Sequence, residues 1–158
     1  MKITDLLKRG SIDLNGRAAP KEEILDHMIA LMVNAGNISD AETYKACVKK
    51  REAEGTTGIG DGIAIPHAKT QAVREEGLAV MVVKDGVDYD SLDAFPVYLI
   101  FLIAAPDTKD NIHLDVLGRL SVLLRDDKFR DDLIHAGSVE QFLYCVDQAE
   151  KEKFREFL

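Results

Sequence analysis

"PVYLIFLIAA", Pro96 to Ala105, is the stretch from which the rest of the chain can be read. After its proline it carries no charged residue and is almost continuously apolar. It is far shorter than the roughly 20 residues that span a bilayer. A run of this length, rich in aromatic and branched side chains and closed by Pro106, reads as a central strand covered on both faces. Such a strand needs helices on either side and neighbouring strands along its edges.

The flanking sequence supplies both. "SIDL" reads as a short early strand, "GIAIP" as another, and "LAVMVV" as a third, with Asp85-Gly86 in "KDGV" as a hairpin turn. "APKEEILDHMIALMVNAGN" predicts a helix with Pro20 in its first turn, Gly36 near its stop, and Ile24, Met28, Leu31 and Ala35 as its apolar stripe. "SDAETYKACVKKREAEG" predicts a second, with Ser39 and Glu42 as a capping box and Gly55 as the stop. Tyr44, Val48 and Arg51 share one face of it, so Arg51 ends a mostly inward-facing stripe. "DNIHLDVLGRLSVLLRDD" predicts a helix capped by Asp110 or Asn111, with His113, Leu117, Leu120 and Leu124 on one stripe. "KFRDDLIHAG" and "SVEQFLYCVDQ" follow as two more. The expected architecture is an α/β sandwich, a mixed sheet covered by helices, in a single domain spanning 1–158, with about 150–158 as a linker or tail.

Composition narrows the function. Twenty-eight acidic residues against 20 basic ones give a net charge of −8, which argues against nucleic acid or an anionic membrane surface as the main partner. "MKITDLLKRG" lacks the apolar core of a signal peptide, and no run is long enough to insert in a membrane, so a cytosolic chain is expected. Cys47 and Cys145 lie far apart and form no CxxC pair; they are expected to be reduced, buried and structural.

The chemistry concentrates in "GTTGIGDGIAIPHAKT", Gly55 to Thr70. A Walker A loop would need a lysine followed by Ser or Thr after its last glycine, and none is present. A dinucleotide fingerprint would open a helix, whereas Gly58, Gly60 and Gly62 alternate into a strand. A structural turn is the plainer reading of the glycines. Among the histidines, His27 is mid-helix and His135 sits at a helix end, where a cation suits the dipole. Zinc held by His67 and His113 plus a carboxylate is the one metal arrangement to weigh, although no HxH or HExxH spacing supports it. His67 stands apart from the others, because Pro66 stiffens the chain before it and it lies just past a strand end, where ligands gather in open sheets. A mostly neutral imidazole can act as a nucleophile. His113 in a first helical turn and Arg51 at a helix end are polar residues on apolar stripes. A neutral histidine, an arginine and a helix N-terminus together suit a phosphoryl group.

Two long motifs in order, "REAEGTTGIGDGIAIPH" (Arg51–His67) and "AAPDTKDNIHLDVLGRLSVLLRD" (Ala104–Asp126), carry a resemblance over nearly the whole chain. The sequence resembles the enzyme IIA proteins of the bacterial phosphoenolpyruvate-dependent sugar phosphotransferase system, fructose–mannitol type. That resemblance implies a mixed sheet sandwiched by helices. It implies His67 as the phospho-acceptor, through Nε2, with His113 and Arg51 as active-site partners. It implies the phosphocarrier HPr as donor, a cysteine of an enzyme IIB partner as acceptor, and a membrane IIC permease beyond IIB that brings the complex to the inner face of the membrane. Backbone amides of the loop at Thr56, Thr57, Gly58 and Gly60 are expected to support the phosphate. Neither cofactor nor metal is expected. A regulatory role in which protein contacts follow His67 phosphorylation, as in nitrogen-related members, is the alternative.

Overall fold

In the computed structural model, which describes residues 2–154, the chain runs α1 (Ile3–Leu6), β1 (Leu7–Asp13), α2 (Lys21–Asn34), α3 (Ala41–Glu54), β2 (Gly58–Gly60), β3 (Ile63–Ala64), β4 (His67–Lys69), β5 (Gly77–Val87), β6 (Val97–Ala105), α4 (Ile112–Leu123), α5 (Asp127–Ile134) and α6 (Val139–Lys153). The sheet order is β1-β5-β6-β3-β2, with β4 also on β6. β1 is parallel to β5, β3 and β4 are parallel to β6, and β5 is antiparallel to β6, so the sheet is mixed as expected. β6 has neighbours on both edges.

The apolar run is explained by which face each residue serves. Ile100, Leu102 and Ala104 of β6 join Met28, Met32, Tyr44 and Val48 in one core under α2 and α3. Leu99, Phe101 and Ile103 join Val116, Leu120 and Phe142 in a second core under α4, α5 and α6. Successive side chains of a strand face opposite ways, so a strand between two cores cannot spare a polar position on either. Full burial of each such large side chain is worth about 1.5–3 kcal/mol.

Several local expectations are corrected. α3 is capped by Asp40, whose carboxylate accepts from the Thr43 amide at 3.2 Å, and not by a Ser39–Glu42 box. Ser39 is instead tied to the carbonyl of Ala72, through its amide at 2.8 Å and its hydroxyl at 3.0 Å. β1 starts earlier and runs longer than "SIDL". Pro20 stands just before α2, whose buried face is Ile24, Leu25, Met28, Ile29 and Met32; Leu31 and Ala35 are half-buried. Asn111 does occupy the N-cap of α4, but its side chain makes no capping bond.

Asp85-Gly86 is not a hairpin turn. β5 continues through it to Val87, and Gly86, at φ 81°, lies where the β5–β6 register shifts between Val82 and Val87. A Cβ there would come within 2.9 Å of Pro96, so glycine is required by packing as well as by φ. The tight Asp-Gly turn is Asp61-Gly62, both at positive φ (57° and 77°), joining antiparallel β2 and β3. Both cysteines are half-buried rather than buried, on α3 and α6, and free. Of the stretch 150–158, residues 150–153 close α6 and Glu150 is buried, accepting from the amide of Ile3 at 2.8 Å; residues 155–158 lie outside the described residues. Among the described residues, no helix is long and apolar enough to cross a membrane.

Candidate functional site

β3 and β4 are two pieces of one strand. Ile63 lies opposite Leu99, Ala64 opposite Ile100, and His67 opposite Ile103, so the register on β6 is the same before and after the break. The break is Ile65-Pro66. Proline has no N–H to give the ladder. Its carbonyl still accepts from the Ile103 amide at 3.0 Å, while the Ile65 amide turns away to the carbonyl of Thr57 at 3.0 Å. The Ile65 carbonyl belongs to neither ladder segment. It lies 3.0 Å from Nδ1 of His67.

That contact decides the state of the ring. A carbonyl can only accept, so Nδ1 carries the proton of the neutral imidazole. Nε2 then carries the lone pair, on a half-buried side chain. His67 lines a cleft of about 310 Å³ with Arg51, Lys50, Cys47, Glu54 and Lys69. The spacing of Tyr44, Val48 and Arg51 has the expected outcome: the first two are buried and Arg51 is half-exposed at the rim. One arm of Arg51 is fixed, since Nη1 donates to the Gly55 carbonyl at 2.7 Å. A planar guanidinium of this kind suits carboxylate and phosphate oxygens.

His113 stands in the first turn of α4, half-buried, with its Nδ1 fully buried and without a hydrogen-bond partner among the described residues. Burial first, then the charge of Lys69 and of His67, hold its pKa below the ordinary histidine value; Asp115 pulls weakly the other way. His113 is therefore mostly neutral at pH 7, able to donate one hydrogen bond without repelling its neighbours. Lys69 and His67 thus lie near enough for their charge to act on the His113 ring, and Arg51 lines the same cleft as both of them. Among the described residues no group of three or more His, Cys, Asp or Glu is placed to hold a metal ion.

Two of the four loop positions expected to offer amides to a phosphate do otherwise. The amides of Thr57 and Gly58 are committed inward, to Glu52 Oε2 at 3.1 Å and to Thr56 Oγ1 at 3.1 Å, so they do not point at a ligand. Gly58 permits close packing within the chain: a Cβ would meet Ser91 at 2.8 Å. Gly60, at φ 98°, leads into the Asp61-Gly62 turn beside Asp93. The loop's link to the site is its Gly55 carbonyl, which holds Arg51.

What fixes the loop is Glu52, which sequence reasoning missed. Its nearly buried carboxylate accepts from the Thr57 amide and hydroxyl, from Tyr89 Oη at 2.9 Å and from Lys21 Nζ at 2.9 Å. Lys21 also sits 4.3 Å over the Tyr89 ring. Burial alone would raise the Glu52 pKa; the bonds from Thr57 and Lys21 outweigh it and leave it below the ordinary value. A folded-state pKa below the unfolded one gives stability that is complete above the ordinary carboxylate range and fades as pH falls through the lowered value. Glu52→Gln is expected to lower the unfolding free energy by about 2–3 kcal/mol at pH 7. Urea denaturation checks this, and the gap to wild type should close in acid. An unchanged midpoint would remove Glu52 from this role.

Lys69 was also missed, although it had a signal. It lies two residues beyond His67 on a strand, hence on the same face. The Ile65 carbonyl and Tyr89 had none, because neither a backbone break nor a long-range hydroxyl contact shows in a residue pattern. His27 and His135 stay apart from the site; His27 is exposed and 2.9 Å from Asp13, and His135 ends α5.

The class of protein is set by the fold. It is shared with the Neisseria meningitidis nitrogen regulatory protein IIA-Ntr (TM-score 0.83, 27% identity, covering 91% of this chain and 98% of that one). It is shared also with a chain in the Escherichia coli complex of enzyme IIAMTL and phosphorylated enzyme IIBMTL (TM-score 0.77, 26% identity, 90% and 99%). The chain belongs to the family "Phosphoenolpyruvate-dependent sugar phosphotransferase system, EIIA 2", whose family model matches residues 5–149. It is 43% identical over 151 residues to the PTS system fructose-specific EIIABC component of Bacillus subtilis (strain 168), with 96% of this chain aligned to 24% of that protein. The chain therefore spans about a quarter of the length of that relative.

Proposed function

We propose that this chain carries a phosphoryl group on Nε2 of His67 between a phosphohistidine donor, HPr, and the cysteine of an enzyme IIB partner, during uptake of a fructose-like sugar. The observation that carries this is the 3.0 Å contact from His67 Nδ1 to the Ile65 carbonyl, which supports a lone pair on Nε2 for attack. In the first step the Nε2 lone pair bonds to phosphorus while the donor's N–P bond breaks and the donor ring keeps its electron pair. In the second a partner thiolate attacks the same phosphorus, the N–P bond breaks, and neutral His67 returns. Phosphoryl transfer has a loose transition state, so positioning and charge stabilisation do most of the catalysis. Arg51 offers its planar fork to the equatorial oxygens, and neutral His113 offers an N–H. The similarity to a fructose-specific EIIABC component supports the sugar class, and the IIAMTL–IIBMTL complex supports a IIB partner. A membrane IIC permease then stands beyond IIB, and the chain works at the inner face of the membrane.

The experiment is phosphotransfer in vitro from phosphoenolpyruvate through enzyme I and HPr. The expected product is one acid-labile, base-stable phosphate, mapped to His67 by mass spectrometry and discharged by a IIB protein. No incorporation would overturn the proposal. The likeness to IIA-Ntr supports a second reading, a regulator whose protein contacts depend on His67 phosphorylation. Labelling from HPr without discharge to any fructose-type IIB would favour it.

A further inference from the structure

The start of α4 has to be held in place for His113 to meet anything on His67, and its N-cap side chain does not hold it. Asn111 at the N-cap makes no side-chain bond to the helix. Across the site, Lys69 Nζ donates to the carbonyl of Asp110, one residue before that cap, at 2.9 Å. Lys69 lies on β4, two residues after His67. Ala68 between them is buried, and both His67 and Lys69 line the cleft. One short strand thus carries both the candidate nucleophile and a cation that reaches over to the helix bearing His113.

We propose that Lys69 is a positioning residue for phosphoryl transfer: its ammonium anchors the start of α4 through the Asp110 carbonyl and so sets where His113 meets the phosphoryl group on His67. This rests on the phosphoryl-transfer reading given above. The electrostatics around His113 agree with that placement. The charge of Lys69 is the largest influence on the His113 ring after burial, ahead of His67 on the same strand and opposed by Asp115 on α4. Glu76, just before β5, also feels both Lys69 and Asp110, while burial holds its pKa above the ordinary value. The groups that face His113 or its anchor are therefore His67 and Lys69 from β4, Asp115 and Asp110 from α4 and the loop before it, and Glu76. Removing the Lys69 charge makes protonation of His113 easier, so its ring should titrate at higher pH.

The test uses the whole chain with Lys69→Met, Lys69→Arg, His113→Ala and the Lys69→Met/His113→Ala double variant. Transfer from phospho-HPr is followed by rapid quench, and the His113 ring by nitrogen-15 NMR against pH on the unphosphorylated protein. Lys69→Met is expected to slow transfer about tenfold, since a small misplacement of a stabilising group is costly, and Lys69→Arg to recover to within about threefold of wild type. In the His113→Ala background the Lys69→Met loss should largely vanish, because the two act through one contact. The His113 titration should move up in Lys69→Met and stay near wild type in Lys69→Arg. A wild-type rate in Lys69→Met, an unmoved His113 titration, or a full tenfold loss persisting without His113 would each overturn the inference. Failure of wild type to take up label would overturn the phosphoryl-transfer reading itself. Wild-type labelling with an unaffected Lys69→Met would overturn the Lys69 role alone.

Discussion

His67→Ala is expected to abolish phosphate incorporation from phospho-HPr and leave the fold intact. The side chain is half-buried at the rim of a cleft and makes one hydrogen bond, to a backbone carbonyl, so its loss opens no large cavity. The thermal midpoint should stay close to wild type. A second nucleophile would be told apart: Cys47 lines the same cleft as a free, half-buried thiol on α3, and a thiol would give an S-phosphate with a different pattern of acid and base stability. His113 lacks the backbone contact that would aim its Nε2, because its Nδ1 has no partner among the described residues. Acid-labile label persisting in His67→Ala would refute the assignment of the nucleophile and point to His113 in its place.

Arg51→Ala should slow transfer on the order of a hundredfold, which corresponds to about 2.7 kcal/mol of transition-state stabilisation. The guanidinium is the group on this cleft best suited to bind two oxygens of a phosphoryl group at once, and its Gly55 contact fixes it before any ligand arrives. Arg51→Lys should recover only part of the rate, because an ammonium keeps the charge and loses the fork. Single-turnover rates at saturating phospho-HPr separate this from weaker docking. An effect confined to the half-saturating donor concentration would make Arg51 a docking residue and not a stabiliser of the reacting group.

Much of this was legible beforehand, for reasons that can be named. The central strand was readable because burial on both faces leaves no room for a polar residue from Val97 to Ala105 except at half-buried Tyr98. Arg51 and His113 stood out as candidates because helical spacing puts polar groups on apolar stripes in view. The capping box failed because Ser39 and Asp40 are adjacent cap-competent residues, and the partner that decided between them, the Ala72 carbonyl, is distant in sequence. The hairpin was misplaced because the chain has two Asp-Gly pairs. What settles the choice is packing of Gly86 against Pro96 and Tyr98, which no local pattern carries. The phosphate-loop reading gave the loop amides to a ligand, whereas those of Thr57 and Gly58 bond within the chain and Gly58 makes room for Ser91. The loop's true fastening, Glu52, sits beside Arg51 in sequence, and only the fold shows it to be nearly buried.

The Ile65–His67 contact has a consequence for inheritance. Every amino acid brings the same carbonyl, so no replacement of the Ile65 side chain deletes the group that sets the imidazole tautomer. A mutation can disturb it only by moving the main chain between β3 and β4. The acceptor for His67 is thus shielded from most single-codon changes, unlike a carboxylate in the same role. The chain can therefore vary its surface toward different partners while the reacting ring keeps its orientation.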